Sequence, residues 1–176
     1  SMAPSQLGAF TKSDLADPSI TRPDIEYHVQ PLSLDRFGEP LHRYDAFTAS
    51  PCNLRPTSRG SVHIESPDAT LPPVIAPNYL STEHDRHVAA VALRLTRRIV
   101  AAPALARYRP DEVVPGPQYQ SEEELAAAAG LIGTTIFHPV GTAKMGGRDD
   151  RMAVVDGELR VIGIDVFRRC CLDQVF

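Results

Sequence analysis

Several stretches of the chain alternate apolar and polar residues regularly enough to predict elements. Ile25, Tyr27 and Val29 alternate with Glu26, His28 and Gln30, the period-two pattern of a half-buried strand, and Pro31 ends it. Residues 47–54 suit a second strand, and residues 61–65 (SVHIE) alternate again as a third. Pro56 and Gly60 mark a turn between these two, so an antiparallel hairpin is their simplest pairing. Farther on, Val88, Val91, Ala92, Leu95 and Ile99 fall on one helical stripe. Ser81 or Thr82 can cap its start, Glu83 and Asp85 favour the positive end of its dipole, and Pro103 stops it. Ser121 and Glu124 form a capping box for a second helix carried by alanines 126–129, with Gly130 expected just past its end. Residues 154–161 read as a last hairpin turning at Asp156-Gly157. Strands and helices cluster and do not alternate strictly, which predicts an α+β fold, a mostly antiparallel sheet flanked by helices.

Composition bounds this picture. The chain has 176 residues, 43% of them hydrophobic, enough for one core and one domain. Its 16 prolines, about 9% against a usual ~5%, are scattered along the chain and imply short elements joined by rigid turns. Residues 1–22 are polar, carry Pro4 and Pro18, and read as an extended lead-in. Gly38, in the loop 35–40, is free to take positive φ. A net charge of −4 argues against a nucleic-acid surface. No run of about 18 apolar residues is present to cross a bilayer, and the first residues do not resemble a secretory signal. The three cysteines, Cys52 and the adjacent Cys170 and Cys171, do not suit an internal disulfide framework, so a reducing, cytoplasmic setting is expected.

Candidate chemistry is concentrated in one segment. The chain has no GxGxxG, P-loop, HExxH or GxSxG, and no cysteine–histidine spacing suited to a metal. Residues 133–146 read GTTIFHPVGTAKMG. Pro139 holds His138 at extended backbone angles, and Gly141 and Gly146 permit close backbone approach to a bulky group. An imidazole presented in this way suits a general base; on the residues alone, a lone histidine in a proline- and glycine-rich loop is more often structural. Elsewhere, His28 and His63 lie on polar strand phases, and His84 and His87 share a helix face without completing a metal set. His42 sits in a loop without a readable signal, and Arg55 and Arg59 suit hydrogen bonds to carbonyls.

Beyond pattern and chemistry, the run TIFHPVGTAKMG at 135–146 resembles the C-terminal signature of the GMC (glucose–methanol–choline) oxidoreductases. The similarity continues in residues 153–156 (AVVD) and 159–164 (LRVIGI). Upstream, residues 54–62 (LRPTSRGSV) are similar to the family's LRPxSRGxV stretch, and residues 77–80 (PNYL) to the segment leading into its long helix. The resemblance covers residues 23–164 and looks closest to the choline-dehydrogenase-like alcohol dehydrogenases of bacteria.

The resemblance implies a substrate domain laid against an FAD-binding domain, in which a histidine takes the hydroxyl proton of an alcohol while hydride passes to FAD. In this sequence that catalytic histidine is His138, and Gly141 and Thr142 would lie near the cofactor. No metal is implied. The family's N-terminal glycine-rich FAD motif does not occur here, so the partner expected is an FAD-binding domain or chain, with a small-molecule alcohol as substrate. Residues 165–176 (DVFRRCCLDQVF) leave the family pattern, and the segment supplying a second active-site histidine or asparagine does not follow. The expectation is a truncated or frameshifted domain with a divergent tail, inactive alone and prone to self-association through an uncovered apolar interface. The alternative is a non-catalytic binding or assembly module that pairs with a separate FAD-domain chain.

Overall fold

A computed structural model of the chain describes residues 5–36, 38–138 and 141–163; the tail at 165–176, with Cys170 and Cys171, lies outside the described residues. The architecture is α+β. A three-stranded antiparallel sheet runs in the order β1 (Leu7–Thr11), β2 (Ile25–Gln30), β3 (Thr48–Asn53), and β4 (Ser61–His63) pairs with β5 (Val74–Ala76). Helix α1 spans Glu83–Val100, a 3₁₀ turn follows at Pro103–Tyr108, and α2 spans Glu122–Ile132. The chain divides into two compact units. One holds β1 to β3, α1 and α2; the other comprises Val62–Val74 and the residues from Thr134 onward.

In the first unit the alternation of β2 sets the core. Ile25 and Tyr27 point one way and pack with Val88 and Ala92 of α1, flanked by Ala49 of β3 and Leu95. The Tyr27 hydroxyl donates to the Ala92 carbonyl at 3.1 Å, which satisfies the one polar atom this strand buries against the helix. Helix α2 packs on α1 through Leu125, Ala126 and Ala128, all buried. From α1, Arg97 also pins the loop leading to α2: it holds Glu112 with two bonds of 2.8 Å and donates to the carbonyls of Tyr119 and Gly116.

Three expectations are corrected. The strand at 61–63 does not form a hairpin with β3; β3 pairs with β2, and β4 with β5. The turn between β3 and β4 is instead spent on α1, as described below. Gly130 does not end α2, which continues to Ile132 and is capped at Gly133. A Cβ on Gly133 would stand 2.5 Å from the Ala129 carbonyl oxygen, so the glycine is required there and not three residues earlier. In the last hairpin only Val155 and Val161 form an antiparallel bridge, and the left-handed residue is Leu159 (φ 62°), not Gly157. The Asp156 carboxylate takes over the turn, accepting from the amides of Glu158 and Arg160.

The stretch at 1–22 contributes β1, an edge strand in register with β2 from Leu7↔Val29 to Thr11↔Ile25. Its residues are mostly exposed, so no one-sided apolar pattern marked it. Gly38 adopts φ 91°, the positive value its loop anticipated.

Candidate functional site

Two places concentrate what the sequence singled out. The first is the start of α1. Thr82 is the N-cap, its hydroxyl accepting from the Asp85 amide. Asp85 lies one turn before Val88 on the buried side and is only 3% exposed. Its carboxylate accepts from the Thr57 amide at 2.8 Å, the Ser58 amide at 2.9 Å and the Thr57 hydroxyl at 3.1 Å. Burial pushes this carboxyl up; the Ser58 hydroxyl, the two amides and the Thr57 hydroxyl outweigh it, taking the group from 3.8 down to about 2. Ser58 in turn accepts from the amides of Ser81 and Thr82, and Asn78 donates to the Arg59 carbonyl at 3.0 Å. Gly60 completes the arrangement, because a Cβ there would meet the Ala76 carbonyl oxygen at 2.2 Å. The LRPTSRG stretch is thus a structural clamp on the helix start. Arg59 donates to the carbonyls of Pro56 and Ser58, as its position suggested.

The second place is the segment after α2, in the other unit. Phe137 sits at φ 65°, an unusual value for a bulky residue, and is 62% exposed. Its amide donates to the Thr135 hydroxyl at 3.0 Å. His138 follows on exposed backbone outside any helix or strand. Pro139 and Val140 lie outside the described residues. Gly141 has φ 99°, a methyl added to it would meet no atom within 4 Å, and Thr142 beside it is exposed.

Behind this turn the chain braces itself. Val154 and Val155 donate to the Lys144 carbonyl, Gly146 donates to the Val155 carbonyl, and Ile162 donates to the Val154 carbonyl. Val155 is buried at the centre of these three strand-like pieces. Lys144 reaches the Asp150 carboxylate at 2.6 Å, and that contact, with the Met152 amide, holds the Asp150 carboxyl below the usual range. Gly146 fits where a Cβ would press on Ala153 and Asp150 at 3.0 Å. His138, Gly141 and Thr142 are each exposed, and the chain from Lys144 onward is held by these bonds.

Other singled-out residues have structural partners. His87 pairs with Glu122 at 2.8 Å, tying α1 to α2 and lowering the Glu122 carboxyl. Among the described residues, no group of three or more histidine, cysteine, aspartate or glutamate side chains converges to hold a metal. The Cys52 thiol is pushed up by burial and by the Glu26 charge, which keeps it protonated and unreactive. No helix among the described residues is long and apolar enough to cross a membrane.

A Cβ on Gly141 would meet no described atom within 4 Å, so the backbone there is uncovered. The diphosphate of FAD, by contrast, seeks unsatisfied amides at a helix N-terminus. Both described α-helix starts are already capped, by Thr82 and by the Ser121–Glu124 box, and both carry acidic residues in the first turn. Neither is suited to an anion.

Comparison with known proteins agrees with the fold. A family model for GMC oxidoreductase, C-terminal part, matches residues 56–168. The oxygen-dependent choline dehydrogenase of Yersinia pseudotuberculosis serotype IB is 39% identical over 163 residues, 93% of this chain and 28% of that protein. The oxygen-dependent choline dehydrogenase of Citrobacter koseri is 40% identical over the same length. Among solved structures, pyridoxine 4-oxidase from Mesorbium loti aligns with a TM-score of 0.75 at 30% identity, covering 90% of this chain and 30% of that one. An FAD-dependent oxidoreductase from Chaetomium thermophilum aligns with a TM-score of 0.61 at 25% identity, covering 81% of this chain and 22% of that one. The chain spans less than a third of the length of each of these proteins, and it belongs to the GMC oxidoreductase family.

Proposed function

We propose that residues 23–164 act as the substrate-side domain of an FAD-dependent oxidoreductase that oxidises a CH–OH group. His138 is the base that accepts the hydroxyl proton of the alcohol, and Gly141 and Thr142 are the backbone against which the cofactor ring rests. The observation that carries this reading is the exposure of His138 and, three residues on, of an uncovered Gly141, within the segment matched to the family. FAD, when bound, supplies the two-electron acceptor. This chain's own part is to orient the alcohol, hold its proton at His138 and keep the turn rigid through the 144–162 brace. The capped helix starts support placing the hold on the diphosphate in a partner FAD-binding domain. Exposed apolar side chains in the second unit, Ile64 at 85% and Met152 at 73% among them, support an interface with that domain.

The test is complementation. The purified chain alone is expected to show no alcohol-dependent dye reduction and no stoichiometric flavin absorbance, and to self-associate as concentration rises in sedimentation. Mixed with a polypeptide carrying a GMC FAD-binding domain, it is expected to restore dye reduction, which His138→Ala removes. Flavin bound tightly by the chain alone would overturn the division of labour. Complex formation without any dye reduction would favour an assembly module instead.

A further inference from the structure

The loop between β2 and β3 holds a cluster that neither the family resemblance nor the proposed chemistry uses. His42 Nδ1 lies 2.7 Å from the Ser33 hydroxyl and 2.8 Å from the Tyr44 hydroxyl, and its Nε2 lies 3.3 Å from a carboxylate oxygen of Asp35. The His42 amide donates to the Ser33 carbonyl at 2.9 Å, which closes the loop and fixes the two residues beside each other. The imidazole ring stacks on Tyr44 with centroids 4.8 Å apart. Only a protonated nitrogen approaches a carboxylate favourably, so the neutral ring carries its hydrogen on Nε2, toward Asp35. Nδ1 is then the acceptor, and it faces a serine hydroxyl. A hydroxyl, a base that accepts from it and a carboxylate that orients the base together make an activated nucleophile. The Asp35 contact is an electrostatic approach to Nε2 and not an aligned hydrogen bond. The cluster borders an open cleft of about 220 Å³ whose lining includes Ser33, His42, Tyr44 and Asp45 together with Leu32, Leu41 and Ala46. The three aliphatic side chains suit a short acyl chain.

We propose that Ser33, His42 and Asp35 form a hydrolytic site for small esters with short apolar acyl groups, with Ser33 as the nucleophile. Ser33 Oγ bonds to the carbonyl carbon as its proton passes to His42 Nδ1. The ester C–O bond then breaks and the proton leaves with the alcohol. Water, giving its proton to the same nitrogen, attacks the acyl-serine and releases the carboxylic acid and the free hydroxyl. No oxidant or cofactor enters the balance.

The full chain is treated with an alkyl fluorophosphonate, which phosphonylates an activated serine with loss of fluoride, and analysed by intact mass and peptide mapping; p-nitrophenyl butyrate hydrolysis is followed in parallel. A single adduct on Ser33 is expected, absent in Ser33→Ala and formed about 100-fold more slowly in His42→Gln. Asp35→Asn, a change at an exposed residue, is expected to slow labelling less. No adduct on the folded wild type, checked by circular dichroism, overturns the proposal, as does labelling that His42→Gln leaves unchanged. An adduct on Tyr44 overturns the choice of nucleophile.

Discussion

The start of α1 and the segment holding Phe137, His138 and Gly141 both belong to stretches that resemble the same family, yet they are built in opposite ways. At the helix start a carboxylate is buried and every oxygen facing the loop is met by a donor: two amides and the Thr57 hydroxyl on Asp85, and two more amides on Ser58. At the turn, Phe137 and His138 are exposed and Gly141 looks into open space. Sequence resemblance marks both alike. Local structure separates them: one is a carboxylate buried among donors of its own chain, the other a pair of exposed residues beside a strained backbone position.

Removing the satisfied group should have the largest effect. Asp85→Ala leaves two part-buried amides without their acceptor and empties a buried position, and a loss of about 1–3 kcal/mol is expected in urea unfolding. Asp85→Asn should recover little of this, because half of the amide presents donors to donors. A loss below about 1 kcal/mol would show that the clamp is not the structural half of the pair.

Acid should reproduce part of that loss without a mutation. The Asp85 carboxyl is lowered from 3.8 to about 2 in the folded chain, so the unfolded chain takes up its proton first as pH falls. Stability from this group is complete above about pH 4 and disappears between about pH 4 and pH 2, amounting to about 2 kcal/mol. Asp85→Asn should flatten this part of the stability–pH curve. An unchanged slope in the variant would assign the acid sensitivity to other carboxylates.

Gly141→Ala probes the other region. At φ 99° an alanine is strained, while open space means that no clash is added. Thermal unfolding should therefore report a loss of about 1–2 kcal/mol from backbone conformation alone. In the complemented enzyme the same methyl would stand where the cofactor ring is proposed to rest, so flavin retention should fall out of proportion to stability. Equal retention in mutant and wild type would remove Gly141 from the cofactor surface.

How much of this was readable depended on how local each feature is. The buried phase of β2, the stripe of α1 and the capping box of α2 were legible because periodicity and spacing carry them. Strand β1 was not, because an edge strand that is mostly exposed has no apolar phase to show. The partner of β4 was not, because choosing β5 over β3 depends on where the TSRG turn is held, and that is set by Asp85 from 27 residues away in sequence. Read as a dipole residue, Asp85 gave no sign of burial, although its place one turn before Val88 on the apolar stripe was the available clue. At the turn, composition offered only a histidine among prolines and glycines, and its assignment came from resemblance. The cluster on His42 had no signal at all, since its three partners meet only when the loop folds.

His138→Ala is the smallest expected effect on folding and the sharpest test of the contrast. The residue is exposed and outside any helix or strand, so its truncation should shift stability by no more than about 0.5 kcal/mol. If the turn is a functional surface, the complemented enzyme should nevertheless lose alcohol oxidation by about 10²–10⁴-fold while still assembling with the FAD-binding partner. A marked drop in the melting temperature with residual activity in proportion to folded protein would instead make His138 a structural residue of the same kind as Asp85. The two regions would then differ in exposure and not in role.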